Sequence, residues 1–175
     1  TEKDGKITAG SGALLSRIAK TALLHSLAGF EFAAGIPGTL GGAVVMNAGA
    51  YGGEMKQVLQ SARVLTKEGE IQELAAEELE LGYRKSGIQK NGYIVLSAVL
   101  SLEQGEPSEI KAKMDDFAAR RREKQPLEYP SAGSTFKRPE GYFAGRLIED
   151  AGLKGLTVGG AQVSEKHSGF VINRN

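Results

Sequence analysis

Three short stretches hold residue types and spacings that could do chemistry. The first, Gly35–Gly53 (GIPGTLGGAVVMNAGAYGG), puts seven glycines into nineteen residues. Ile36, Leu40, Val44, Val45, Met46 and Tyr51 are threaded through it, whereas flexible linkers are poor in apolar residues. Glycine lets the main chain approach a partner with no Cβ in the way, and successive amides in such turns form anion-binding concavities. Together these suit a pyrophosphate, as in a dinucleotide. Tight turns packed against the protein's own strands call for the same residues, and spacing leaves both readings open. The Rossmann fingerprint GxGxxG does not occur, and no Gly-Lys-Ser/Thr follows to make a P-loop. In the second stretch, Gly82–Gly87 (GYRKSG), Arg84 stands between Tyr83 and Ser86. Such an arginine ordinarily forms a surface salt bridge, but its planar fork also suits a carboxylate or a developing enolate. In the third, Glu123–Pro139, Ser134 lies between Gly133 and Thr135 in a Pro-bounded loop, which reads as turn chemistry. The two histidines, His25 and His167, stand in no nucleophile motif, so no triad assembles around that serine.

The bulk composition narrows the classes. A chain of 175 residues with 41% apolar and 25% charged residues is an ordinary globular one, large enough for one domain or two small ones. A net charge of +1 offers no long-range field to nucleic acid or to a membrane surface. The absence of cysteine excludes disulfides, Cys-ligated zinc and thiol catalysis, and is compatible with a reducing cytosol. Apolar runs fall short of the roughly 20 residues a membrane span needs. The opening TEKDGKITAG has neither the basic nor the apolar region of a signal peptide, and lacks an initiator Met.

Certain elements must position these stretches. GKITAGSG reads as a strand running into a turn. Leu14, Leu15, Ile18, Ala22, Leu23 and Leu27 recur at helical spacing, predicting a helix closed by Gly29. SARVLTKEGEIQEL predicts a hairpin turning at Lys67-Glu68-Gly69, and YIVLSAVLSLEQG a further strand. PSEIKAKMDDFAARRREKQP is the clearest helix: Ser108 is the expected N-cap, Ile110, Met114 and Phe117 make the apolar stripe, and Pro126 is the stop. Its RRREK run suits the negative end of the helix dipole better than a nucleic-acid patch. Beyond it, LEYPSAGSTFKRPEG reads as loop, YFAGRLIEDAGLKG as a short helix closed by Gly152, and the remainder as strand. The expected domain boundary falls at about residues 122–127.

GIPGTLGGAVVMNAGAYGGE resembles, almost residue for residue, the signature of the UDP-N-acetylenolpyruvoylglucosamine reductase (UDP-N-acetylmuramate dehydrogenase) family of bacterial peptidoglycan synthesis. The resemblance implies an α+β fold: part of a vanillyl-alcohol-oxidase-type FAD-binding domain over 1–122, then part of a smaller α+β substrate-binding domain over 123–175. It implies that Gly35, Ile36, Pro37, Gly38, Thr39, Gly41, Gly42 and Ala43 cradle FAD, with Asn47, Gly49, Ala50 and Tyr51 continuing the match. The family's Tyr-Arg-x-Ser motif implies a catalytic role for Arg84, with Tyr83 and Ser86 shaping the substrate site. AGSTFKRP resembles the block that supplies the family's catalytic serine, making Ser134 a proton donor, and it makes Lys124, Lys137 and Arg138 candidates for holding the UDP-sugar.

The last stretch, GLTVGGAQVSEKHSGFVINRN, also matches; there His167 and Asn173 read as supporting residues, Tyr129 as a substrate contact or loop packing, and His25 as without chemical role. The resemblance further implies NADPH as cosubstrate, no metal, no nucleic-acid or membrane partner, and a cytoplasmic location. The family's N-terminal FAD lobe and the segment with its catalytic glutamate have no counterpart in these residues, so the expectation is a fragment of a longer enzyme. The short spacing before Tyr83 resembles the family type that lacks an additional substrate-covering tyrosine loop. Two alternatives stand beside this reading: a catalytically incompetent nucleotide-binding remnant, and another flavin oxidase of the same fold superfamily.

Overall fold

Two short antiparallel strands, Glu2–Lys3 (β1) and Lys6–Gly10 (β2), open the chain. In the computed structural model, which describes all 175 residues, the fold is α+β and divides into two compact units, Thr1–Phe117 and Ala118–Asn175.

In the first unit β2 leads into a helix, α1 (Leu15–Leu24), with Leu15, Ile18, Ala19 and Ala22 buried. The apolar spacing predicts that helix as far as Gly29, but it ends four residues before Ala28. Ser26 takes a left-handed φ of +58°, and Leu27–Ala28 (β3) leaves to pair with Glu103–Gln104. Leu27 is therefore core by way of a strand, not a helix. The glycine-rich stretch forms a helix of its own, α2 (Leu40–Val45), and then a tiny hairpin, Gly49–Ala50 (β4) with Gly53–Glu54 (β5).

Leu59–Leu65 (β6) and Ile71–Ala75 (β7) make the expected hairpin, its turn closed by Thr66 and Glu70. A short helix, α3 (Gly87–Asn91), precedes the strand Ile94–Ser101 (β8), and Glu103–Gln104 is β9. The main sheet is antiparallel in the order β1-β2-β8-β6-β7, with irregular register between β6 and β8 at Leu59/Ser61 and Arg63/Val64. Its buried face carries Val64, Ala98 and Leu100, in one core with Leu15, Leu40 and Val44 from the helices. α4 (Pro107–Lys124) begins with proline at its first position, where the missing N–H costs nothing. Ser108 thus lies inside the helix, not at its cap. Ile110 is buried, and Met114 and Phe117 pack against the core as their spacing predicts.

The second unit is built on a four-stranded antiparallel sheet. Its strands are Ser131–Ser134 (β10), Thr157–Val158 (β11), Ala161–Val163 (β12) and Phe170–Asn173 (β13), in the order β10-β13-β12-β11. Phe170 and Ile172 of β13 are buried apolar side chains of this unit, and Ser164 and Ser168 from the preceding loop are buried polar ones. A short helix, α5 (Ala144–Asp150), buries none of its residues. No helix in either unit is long and apolar enough to cross a membrane.

Candidate active site

The glycines of the first motif divide by what a side chain would meet. A Cβ on Gly41 would lie 2.8 Å from the Ser11 Cβ. One on Gly49 would lie 2.6 Å from the Gly53 carbonyl oxygen, and one on Gly53 would run into the Phe32 ring at 2.5 Å. Those three are bare because protein packs against them. Gly38 would meet nothing within 4 Å, and Gly42 only the Thr39 Oγ1 at 3.9 Å. Two further glycines of this open kind are Gly10, the last residue of β2, and Gly12, in the turn between β2 and α1.

That turn is bonded to the glycine-rich strip. The Leu40 N–H donates to the Ala13 carbonyl (2.9 Å), the Gly41 N–H to Ser11 (2.9 Å), and the Leu15 N–H to Gly38 (3.1 Å). The first amides of α2, which a helix leaves without internal partners, are thus taken by protein carbonyls. An anion-binding role for those two amides is thereby removed from the sequence reading. What remains is a pair of bonded strips with four bare positions in open space. That arrangement fits a large flat cofactor approaching the backbone closely, as FAD would. Gly35, Pro37, Gly38 and Gly42 are exposed, Ile36 and Thr39 are half-buried, and Gly41 and Ala43 are buried with Leu40.

The second motif closes onto the same strip. Gly82 and Lys85 exchange backbone hydrogen bonds (3.1 and 3.2 Å), making Tyr83 and Arg84 the centre of a four-residue turn. Arg84 has a φ of +54°, a conformation that turns ordinarily give to glycine or asparagine. Its guanidinium offsets that strain: Nη2 donates to the Gly49 carbonyl at 2.7 Å and Nη1 to the Asn47 carbonyl at 3.3 Å. Tyr83 is exposed, its ring centroid 5.1 Å from the Arg84 Cζ. The Ser86 hydroxyl is buried and donates to the Val45 carbonyl at 2.7 Å. Arg84 is therefore no surface salt-bridge former; it is bound to main chain 35 and 37 residues earlier.

Ser134 and the basic candidates lie in the second unit. Ser134 ends β10 opposite Phe170, so it stands on a strand and not in the loop its neighbours predict. The Thr135 N–H donates to the Gly169 carbonyl (2.9 Å). A Cβ on Gly169 would come within 3.3 Å of the Ser134 Oγ and 3.0 Å of the His167 ring. The His167 Nδ1 accepts from the Gly169 N–H at 3.1 Å, and its ring meets Phe170 edge-on. His167 thus braces the backbone opposite Ser134, as a supporting residue would. Lys137 is exposed on the following loop, and Lys124 is exposed at the end of α4. The Arg138 Nε donates to the Tyr142 carbonyl (3.2 Å) and its guanidinium covers the Phe143 ring at 4.1 Å. His25 is exposed and pairs with Glu2.

Comparison with known proteins gives the arrangement relatives. Residues 125–175 match the family described as UDP-N-acetylenolpyruvoylglucosamine reductase, C-terminal domain, and residues 1–75 match the FAD binding domain family. The UDP-N-acetylenolpyruvoylglucosamine reductase of Clostridium perfringens (strain SM101 / Type A) is 63% identical over 174 residues, covering 99% of this chain and 57% of that protein. Along nearly its whole length the chain is similar to UDP-N-acetylenolpyruvoylglucosamine reductases. The reductase of Clostridioides difficile (strain 630) is 64% identical over 171 residues, 98% of this chain and 56% of its own length. The crystal structure of the reductase from Thermus caldophilus superposes with a TM-score of 0.88 at 39% identity, over 99% of this chain and 64% of that one. The chain therefore spans somewhat more than half the length of the curated reductases it matches.

Two features that bear on the site are not evident from the sequence pattern. Asn47, read there only as continuing the match, is fully buried and bonded on every side. Gly10 and Gly12, read only as part of a strand running into a turn, border the glycine-rich strip.

Proposed function

We propose that this chain carries the cofactor-cradling and substrate-protonating parts of a UDP-N-acetylenolpyruvoylglucosamine reductase. The reaction is reduction of UDP-N-acetylglucosamine enolpyruvate to UDP-N-acetylmuramate in cytoplasmic peptidoglycan precursor synthesis, with NADPH as hydride donor. The observation that carries the reading is the pair of bonds from Arg84 to the carbonyls of Asn47 and Gly49, which ties the expected catalytic arginine to the expected cofactor strip. When bound, FAD supplies the hydride transfer from NADPH to the vinyl carbon remote from the carboxylate.

The chain's own residues bind, orient and protonate. Gly35, Ile36, Pro37, Gly38, Thr39, Gly41, Gly42 and Ala43 form the strip that would hold FAD. A guanidinium has five N–H donors; with two committed to carbonyls, Arg84 turns the rest to the substrate carboxylate and opposes the charge that builds on the enolate. Ser134 gives a proton to the carbon next to the carboxylate. An alkyl hydroxyl is a poor acid, so this works because the acceptor is a strongly basic enolate at close range. Lys124, Lys137 and Arg138 hold the UDP-sugar as fixed cations, and Tyr83 borders it. On this reading residues 1–122 act as FAD-binding domain and 123–175 as substrate-binding domain.

The direct experiment completes the chain with the flanking segments of a full-length relative and follows NADPH oxidation with the enolpyruvyl sugar nucleotide. Sugar-dependent NADPH oxidation is the expected result. A folded, flavin-free and colourless product would support a nucleotide-binding remnant instead.

The cradle also makes a prediction of opposite signs. Gly42→Ala replaces a solvent-facing helical glycine with the best helix former, so the chain alone gains up to about 1 kcal/mol of stability. FAD affinity falls at the same time, because the new methyl stands where the cofactor must come close. Gly41→Ala instead loses stability against Ser11 with or without flavin. Thermal melts and flavin titration of both variants check this; unchanged flavin affinity in Gly42→Ala would remove that position from the cradle.

A further inference from the structure

We infer that Asn47 is a positioning residue that holds the Arg84 turn against the glycine-rich strip. The inference rests on the catalytic role proposed for Arg84, but its structural part is testable alone. Asn47 is fully buried and stands at the end of α2 with a φ of +40°. Its side-chain amide is used completely. Nδ2 donates to the Gly82 carbonyl at 3.1 Å and to the Glu54 Oε2 at 3.0 Å, and Oδ1 accepts from the Lys56 N–H at 2.9 Å.

The same residue's main-chain carbonyl accepts from Arg84. Asn47 therefore grips the Tyr83–Arg84 turn twice, at its neck through Gly82 and at its tip through the guanidinium. Its third and fourth bonds fix it to Glu54, in the second strand of the hairpin whose Gly49 carbonyl takes the other Arg84 bond, and to Lys56 just beyond that hairpin. A buried amide with both hydrogens and its oxygen satisfied specifies one arrangement, since any displacement strands a polar group away from water. Arginine does not hold a left-handed φ by local preference. The turn keeps Arg84 there because both of its ends are tied.

Asn47→Asp tests this with almost no change in volume. It turns two donors into acceptors facing the Gly82 carbonyl and the Glu54 carboxylate. In the chain as it stands, amide hydrogen exchange of residues 82–86 should quicken at least tenfold. Trypsin should begin to cut after Arg84 and Lys85, while the amides of β6 and β8 keep their protection. If Asn47→Asp does not fold, Asn47→Gly, which accepts the positive φ, is read in the same way. Unchanged protection at 82–86, or equal loosening of β6 and β8, overturns the inference.

In the chain completed with a relative's flanking segments, Asn47→Gly should lower kcat with the sugar nucleotide at least tenfold. Flavin reduction by NADPH should stay within twofold, a split that general destabilisation would not produce. Equal losses in both half-reactions overturn the positioning role. The exchange and proteolysis measurements need neither flavin nor turnover. They decide for Asn47 even if the unsubstituted protein proves to reduce no sugar nucleotide.

Discussion

Ser134→Ala, in the chain completed with a relative's flanking segments, should leave flavin reduction by NADPH intact and stop turnover of the enolpyruvyl sugar nucleotide. The expected loss in the second half-reaction is about 100- to 10,000-fold, the range over which a positioned proton donor contributes. Ser134 ends β10 opposite Phe170 and is an exposed residue, so losing one oxygen there leaves no cavity and removes no core contact. Stability should therefore stay within about 0.5 kcal/mol, as for surface positions generally. Stopped-flow traces at the flavin absorbance separate the two half-reactions. If reduction by NADPH slows as much as the sugar step does, Ser134 is not the proton donor.

The position of Ser134 also weighs against a nucleophilic serine. His167, the nearest candidate base in that unit, receives the Gly169 N–H on Nδ1 and has its ring edge-on to Phe170. It serves the backbone that β10 pairs with. A serine that only donates a proton needs no activating base, because its partner carbon is the stronger base of the two. The same exclusion bears on a flavin oxidase with covalently attached cofactor. There is no cysteine, and His25, paired with Glu2 near the chain start, belongs to no flavin-attachment motif.

Much of the scaffold is legible from local pattern. The β6–β7 hairpin announces itself through alternation and a Lys67-Glu68-Gly69 turn, and α4 through its apolar spacing and the stop at Pro126. These elements are decided by neighbours a few residues away. Where the decision is non-local the pattern misleads. Leu27 continues a helical spacing, yet pairing with Gln104 draws it into a strand. The run Ser131–Ser134 looks like a loop, because its strand character comes from β13, more than 30 residues later, across an irregular register.

The site divides in the same way. The resemblance picks out Arg84 and the glycine-rich strip, but nothing in the letters YRKS foretells a left-handed arginine. Its conformation is set by carbonyls at Asn47 and Gly49. Asn47 looks like an ordinary turn residue until its partners at Gly82, Glu54 and Lys56 are seen around it. Nor does glycine count distinguish the positions bare for protein from those bare for a ligand; only the neighbours of each missing Cβ do.

Gly49→Ala should be the most damaging single methyl in the chain, costing about 3 kcal/mol and lowering the melting temperature by roughly 10 °C. The new Cβ would lie 2.6 Å from the Gly53 carbonyl oxygen and 2.8 and 3.1 Å from the Glu54 Cβ and Cα. Two of those three atoms are main chain of the partner strand, which cannot rotate aside as a side chain could. The hairpin must open instead, but β5 has no room to retreat. Gly53 lies against Phe32, whose buried ring packs edge-on with Phe30 at 5.5 Å. The comparison that isolates the clash is Gly52→Ala at the hairpin tip. There φ is +84° and a Cβ meets nothing within 4 Å, so the cost is the conformational one alone, about 1 kcal/mol. Damage at Gly49 should also reach Arg84, because the Gly49 carbonyl receives the shorter of its two bonds. Loosening of residues 82–86 in hydrogen exchange should accompany the lost stability in Gly49→Ala and be absent in Gly52→Ala. Equal melting temperatures for the two variants would show that the hairpin yields, and that close packing does not explain the glycine at position 49.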